Sequence, residues 1–316
     1  MSGVLDGIRV LDFGRYIAGP FCAALLADLG AEVIRIERLG GGEDRPFIPV
    51  GAGPEGGGAM FPGGQAMSGA AYLSGTPEHP TAIKLPWVDF GTACLSAFGT
   101  LAALLERGKS GRGQKVERAL LRTAIAFANA SLIEQALTGF DRKAALNRGF
   151  NSGPADIFRC SDGWIVATAI GPAMFRRWCR MIGEEHWLAD PRFRDDQSRA
   201  DNGEIISARM SQWCAARSCA EALAALEEAN IVAGQVYSPQ QALDDPHIRS
   251  ARLLEEVPYP GLGVALPLAP TPIELSETPG TYRRPAPLLG EHTDGILESL
   301  GYDATEIAAL RRERVV

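Results

Sequence analysis

The chain is poor in the features that mark several large protein classes. Its 316 residues include only four histidines. No two of them (His79, His186, His247, His292) stand four apart, so a paired-histidine metal helix has no support, and no metal is expected. The six cysteines (Cys22, Cys94, Cys160, Cys179, Cys214, Cys219) form no CxxC pair. That excludes the spacing of a zinc ribbon or a disulfide framework and leaves reduced, mostly packed thiols. The opening, Met-Ser-Gly-Val-Leu-Asp-Gly-Ile-Arg, lacks the basic and apolar regions of a secretory signal. Positive charge is also lacking: the formal net charge is -7, which argues against nucleic acid or an anionic membrane as the main partner. The most apolar helical stretch, Thr92 to Leu105, is too short to span a bilayer and reads as a buried helix. A cytoplasmic protein is expected.

What is present is ordinary globular composition, 46% hydrophobic and 22% charged, with a length that suits one large or two ordinary domains. Ile8 to Phe13 reads as a buried strand and Phe21 to Leu29 as a helix stopped by Gly30. Glu32 to Glu37 reads as a second strand, so the opening is a βαβ unit with parallel strands. Gly40 to Gly75 is rich in Gly and Pro and long for a connection without structure. A long apolar helix is predicted over Phe90–Arg107, a strand over 114–120 and a helix over 123–137. Ala155–Cys160 and Trp164–Thr168 flank Ser-Asp-Gly and read as a β-hairpin. Further helices are expected at 172–182, 204–216, 219–229, 291–299 and 304–311, and short strands near 232–237, 252–258 and 271–275. The change from βα units to a hairpin with helices puts a domain boundary near residue 150.

Few local patterns carry chemistry. Gly51-Ala-Gly53-Pro-Glu-Gly56 matches GxGxxG by letter, but its internal Pro and the coil that follows deny the pyrophosphate a helix N-terminus. Asp89 stands just before the long apolar helix. The bland role there is an N-cap. The same position also holds a carboxylate ionised against the helix dipole, and Gly91 and Ala93 leave room beside it for a bulky thioester, so Asp89 is a candidate nucleophile. Arg38 ends the second strand, at the carboxyl edge of a parallel sheet where α/β folds bind ligands. The turn Gly108–Lys115 is basic.

Seven short stretches together resemble the family III CoA-transferases. They are Leu5-Asp-Gly-Ile-Arg-Val-Leu-Asp-Phe with Ala18-Gly-Pro, and Leu26-Ala-Asp-Leu-Gly-Ala-Glu-Val-Ile-Arg-Ile-Glu-Arg38. Gln65-Ala-Met-Ser-Gly69, Asp89 with Ser110-Gly-Arg-Gly-Gln-Lys-Val, Ala189-Asp-Pro-Arg-Phe193, Asp245-Pro-His-Ile and Leu289-Gly-Glu-His-Thr293 follow in family order. The resemblance implies an α/β fold: a Rossmann-like, parallel-sheet large domain completed by the C-terminal segment, plus a small α/β domain, in an interlinked homodimer. It divides the chain into a CoA-binding part at 1–148, a small domain at 149–258, and a linker with C-terminal helices at 259–316. It also implies that coenzyme A, as acyl-CoA, is the substrate and that a carboxylic acid is the acceptor. Asp89 would attack the acyl-CoA to give a mixed anhydride and then an aspartyl-CoA thioester. Tyr16, Ile17, Ala18 and Arg38 would contact CoA.

The chain departs from the family after Phe47, where several dozen residues that supply sheet strands and basic CoA contacts are absent. The Gly-rich active-site loop of some members is reduced to Gly149-Phe-Asn-Ser-Gly153. Two alternatives stand beside the transferase. One is an α-methylacyl-CoA racemase, whose histidine would fall just upstream of Gln65, where this chain reads Met60-Phe-Pro-Gly-Gly. The other is a non-catalytic relative with an incomplete CoA site.

Overall fold

Strand β1 (Arg9–Asp12) leads through a short loop into helix α1 (Ala18–Asp28), and β2 (Glu32–Arg35) returns beside β1. The two strands are parallel, with Val10 opposite Val33 and Leu11 opposite Ile34. This is a computed structural model, and it describes residues 3–42, 63–258 and 264–316. The Gly51–Gly56 match and Met60 therefore lie outside the described residues.

After α2 (Gly63–Met67) come the long α3 (Trp87–Ser110), α4 (Leu120–Thr138), the hairpin β3 (Ala155–Arg159) and β4 (Trp164–Thr168), and α5 (Gly171–Ile182). Helices α6 (Asp196–Asp201), α7 (Gly203–Ala215) and α8 (Cys219–Glu228) lead to β5 (Val232–Gln235). The chain then runs through α9 (Pro239–Asp244), α10 (Pro246–Ser250), β6 (Glu255–Pro258), β7 (Ala265–Leu268), α11 (Thr293–Ser299) and α12 (Ala304–Arg312). The fold is mixed α/β. Two compact units divide it: one is Met1–Ser68, Ile83–Ser131 and Pro246–Val316, the other Gly69–Ala82 and Leu132–Asp245.

In the first unit, Leu5, Leu25, Leu26, Leu29 and Ala31 pack with Ala97 of α3. Ile8, Val10, Leu101 and Leu104 border this small core. The C-terminal segment contributes Leu275 to it, and the Thr281 amide donates to the Asp28 carbonyl.

In the second unit, β3, β4 and β5 form an antiparallel sheet with β4 in the middle. Phe158 and Ile165 enter its core with Phe175, Trp178, Ile206, Met210 and Leu226. Four of the six thiols are packed here (Cys160, Cys179, Cys214, Cys219), and all six are free.

Four expectations are corrected. Helix α3 begins at Trp87, three residues before the predicted start, because the Pro86 carbonyl accepts from the Asp89 and Phe90 amides at 3.0 and 3.1 Å. It is also not a buried helix. Only part of it packs, while Leu95, Phe98 and Leu105 form an exposed stripe at helical spacing. At 24 residues it is long and apolar enough, by length and composition alone, to cross a membrane, while its other face packs on α1 through Ala97, Leu101 and Leu104. Finally, residues 114–119 form no strand, and a strand needs a neighbour to pair with. The strand expected at 271–275 is likewise absent, and β7 lies earlier.

Candidate active site at the openings of two helices

The site is built where β1 ends. Asp12 is buried, and its Oδ1 accepts from the Gly14 amide at 2.7 Å. Arg35, from the end of β2, reaches Asp12 at 3.6 Å and Glu37 at 3.7 Å. This pairing ties the two strand ends together. Gly14 and Gly19 then approach back to back: a β-carbon on Gly14 would lie 2.6 Å from Asp12 Oδ1 and 2.7 Å from Pro20. No larger residue fits that turn.

Between these glycines the chain turns sharply. Tyr16 has a φ of 62°, in the left-handed region, and Ile17 occupies the N-cap of α1 without a side-chain cap. Ala18 is the first helical residue. The first-turn amides of α1 are thus available to an anion, with Pro20 removing one of them. Arg38 follows β2 and donates from Nε to the Gly41 carbonyl at 3.0 Å. Parallel topology places Tyr16, Ile17, Ala18 and Arg38 at one edge of the sheet, beyond the carboxyl ends of both strands.

Asp89 enters from α3. It lies in the first turn rather than at the N-cap, which is Pro86, and it is 8% exposed. Burial pushes its pKa above the ordinary carboxylate value, and its own backbone amide opposes this only in part. Among the described residues no cation pairs with it. Burial therefore works against the helix end, which favours the ionised form. The space expected beside Gly91 is also taken. The Phe127 ring of α4 would lie 2.6 Å from a β-carbon there, and it stacks on Trp87 at 5.8 Å. Thr92 and Thr123, bonded at 2.8 Å, fix α4 against the same face.

The two helix openings meet. Phe21, one turn into α1, packs edge-on against Phe90, the neighbour of Asp89, with ring centroids 4.9 Å apart. Arg118 also belongs to this region, and sequence reasoning passed over it. A β-carbon on Gly19 would lie 3.9 Å from its Nη2. Burial raises the Cys22 thiol pKa, and the Arg118 charge pulls it back. The visible signal was the cluster of basic residues running on from Lys109, but nothing in the spacing showed that the chain doubles back toward α1.

Other candidates fall elsewhere. Gly149–Gly153 belongs to the second unit, where the Gly149 amide donates to the Ala155 carbonyl at 2.7 Å. His292 is the N-cap of α11. No group of three or more metal-ligating side chains is poised for a metal among the described residues. A depression of about 530 Å³, lined by Asp6, Gly7, Arg9, Gly30 and Glu32, lies at the opposite end of the strands and contains none of the predicted site residues.

A parallel-sheet edge, an uncapped helix opening and a buried carboxylate lie within one unit of an α/β protein, and the sequence relationship assigns its family. The chain belongs to CoA-transferase family III, whose family model matches residues 5–64 and 62–293. Among curated relatives it is similar to the succinyl-CoA–D-citramalate CoA-transferase of Chloroflexus aurantiacus, at 27% identity covering 99% of this chain and 98% of that one. It is also similar to the succinyl-CoA:mesaconate CoA-transferase of Haloarcula marismortui, at 26% identity covering 95% and 97%. The Rv3272 protein of M. tuberculosis has the same fold, with a TM-score of 0.75 at 23% identity over 93% of this chain and 98% of that one. So does a CAIB/BAIF family protein from Brucella suis, with a TM-score of 0.76 at 20% identity over 95% and 100%.

The alignment with the Chloroflexus enzyme runs 394 positions against a chain of 316 residues, so at least 78 positions of that enzyme have no counterpart here. The two family-model matches meet at 62–64, which agrees with a block absent after about residue 60.

Proposed function

We propose that this chain is a CoA-transferase that moves coenzyme A from an acyl-CoA to a carboxylic acid acceptor, with Asp89 as the nucleophile. The Asp89 carboxylate attacks the thioester carbonyl, forms a mixed anhydride and releases CoA thiolate. The thiolate then attacks the Asp89 carbonyl carbon, freeing the donor acid and leaving an aspartyl-CoA thioester. The acceptor carboxylate displaces the thiolate to give a second anhydride. Attack of the thiolate on the acceptor's carbonyl yields the new acyl-CoA and restores Asp89. Each step exchanges one acyl bond for another, and no metal or redox partner is required.

One observation carries this reading: a buried carboxylate, unpaired with any cation among the described residues, in the first turn of a helix packed against the opening of α1. Desolvation makes such a group a stronger nucleophile once ionised. Tyr16, Ile17, Ala18 and Arg38 hold the CoA phosphates and adenosine side at the sheet edge, where helix amides and a guanidinium suit a polyanion. The two curated relatives named above are CoA-transferases, which supports the reaction class. The exposed Leu95–Phe98–Leu105 stripe of α3 fits burial against a second copy, so the working form is a homodimer.

The test is covalent trapping. Incubation with acyl-CoA followed by hydroxylamine should leave a hydroxamate on Asp89, found by peptide mass spectrometry. A hydroxamate on another residue, or CoA transfer surviving in Asp89→Asn, would overturn the assignment.

A further inference from the structure

Arg118 makes no hydrogen bond and no ion pair among the described residues, although Lys115 and Glu117 beside it pair at 2.5 Å. An exposed arginine without a partner is ordinary. Its position is not. A β-carbon on Gly19 would lie 3.9 Å from Arg118 Nη2, so the guanidinium stands beside the first turn of α1. That turn has no acidic residue and no side-chain cap. Pro20 lacks an amide hydrogen and the Phe21 amide donates to the Ile17 carbonyl at 2.8 Å, which leaves the Ala18 and Gly19 amides free.

Both groups can only donate. A guanidinium has no acceptor, and the opening of a helix carries positive partial charge, so like faces like. The carboxylate of this neighbourhood, Asp12, is already engaged by the Gly14 amide and by Arg35. An anion between the guanidinium and the two amides converts this repulsion into attraction on both sides. Arg118 acts on α1 and not on the nucleophile: its charge pulls down the Cys22 thiol pKa that burial has raised, whereas no cation acts on Asp89. It therefore suits the body of a CoA molecule better than an acceptor acid at Asp89. The α1 and α3 openings meet through Phe21 and Phe90, and of the CoA phosphates the diphosphate lies nearer the reacting thioester than the 3′-phosphate does.

We infer that Arg118 is a CoA-binding residue, whose guanidinium and the free Ala18 and Gly19 amides together clasp the CoA diphosphate. This rests on the transferase reading and adds to it a cation at the α1 opening, where Tyr16, Ile17 and Ala18 bring no charge.

The test is calorimetric titration of the full chain with CoA and with 3′-dephospho-CoA. Arg118→Gln should weaken both by about tenfold or more, since one charge-assisted contact is lost from each. Arg118→Lys should lose less, because it keeps the charge without the fork. Arg122→Gln, at the next arginine along the chain, should bind as wild type does. Both positions are exposed, so the variants are compatible with folding. Unchanged affinity in Arg118→Gln overturns the inference, as does an equal loss in Arg122→Gln, which would reflect net charge alone. A loss confined to CoA moves Arg118 to the 3′-phosphate and overturns the diphosphate assignment. No heat from the wild-type chain at about 1 mM CoA overturns this inference together with the transferase reading. If Arg118→Gln weakens binding while no hydroxamate forms on Asp89, the nucleophile assignment fails and the role of Arg118 stands.

Discussion

In the second unit Phe158, Ile165, Trp178, Ile206 and Leu226 have no exposed surface at all, whereas in the first Phe98 is 71% exposed and Leu105 is 72% exposed. Both regions are apolar in sequence, so hydrophobicity alone does not explain the contrast. What differs is closure. The hairpin β3–β4 finds a third strand in β5 and helices α5, α7 and α8 against its inward face, and its inward residues pack with Trp178 and Met210. The βαβ opening finds α3 on one side and little on the other. The candidate chemistry sits in the open unit, where Asp89 is one of the few charged groups that burial has reached. An unfinished core and a desolvated carboxylate lie in the same unit.

The largest effect expected in the open unit is catalytic. Asp89→Asn keeps the shape and removes the nucleophile, so CoA transfer should fall by about 10³-fold or more, measured by chromatography of acyl-CoA products. CoA binding by calorimetry should survive, because Tyr16, Ala18 and Arg38 are untouched. A loss of both would mean that Asp89 holds the site together, and no CoA heat from the wild-type chain would favour a non-catalytic relative.

The closed unit is probed by packing. Phe158 is wholly buried between the sheet and its helices. Phe158→Ala should cost about 3–5 kcal/mol, the transfer of a large ring plus the cavity it leaves, read from the urea midpoint. A cost below about 1 kcal/mol would show that this core is as loose as the other, and the comparison would collapse.

Asp89 also tests stability, with a definite sign. Burial raises its pKa in the folded chain, so the folded state holds the proton more tightly than the unfolded one. The contribution of this group is therefore greatest when it is protonated, and stability is lost as pH rises from the unfolded value through the raised folded one. Near about pH 7, Asp89→Asn should be more stable than wild type, and the difference should shrink as pH falls toward about 4. Thermal melts across that range decide it. If the variant is less stable at neutral pH, the helix dipole outweighs desolvation, and Asp89 is a stabiliser of α3 in the ordinary way.

Much of this was legible in the chain. Apolar runs bounded by Gly marked β1, α1 and β2, and the Ser-Asp-Gly turn marked the β3–β4 hairpin, with β4 as expected and β3 one residue shorter. The misreadings share a cause, which is dependence on partners distant in sequence. Residues 114–120 have strand composition, yet a strand needs a neighbour to pair with. Asp89 reads as an N-cap because Trp87 and Val88 do not signal a helix, but the Pro86 carbonyl starts one. Gly91 and Ala93 read as open space until Phe127 folds over the first of them. The approach of Arg118 to Gly19 depends on the chain doubling back along α3, shown by Val116 lying against Gly99. No local pattern encodes that.

The smallest effect is the sharpest control, because it makes the same substitution in the other unit. Phe98 lies on α3 one turn beyond Leu95 and within the exposed stripe that also carries Leu105. Phe98→Ala removes the same ring as Phe158→Ala, but that ring is already largely in water. Its helix even gains slightly, since Ala is the better helix former by a few tenths of a kcal/mol. The monomer should therefore change by no more than about 0.5 kcal/mol in urea unfolding. Self-association should respond far more than folding does, because the stripe is what a second copy would bury. Sedimentation of Phe98→Ala should show a weaker dimer at unchanged monomer stability. A destabilisation comparable to that of Phe158→Ala would mean that the open face is closed in solution by contacts within the chain. The contrast between the two units would then belong to the pairing of copies and not to the fold of one.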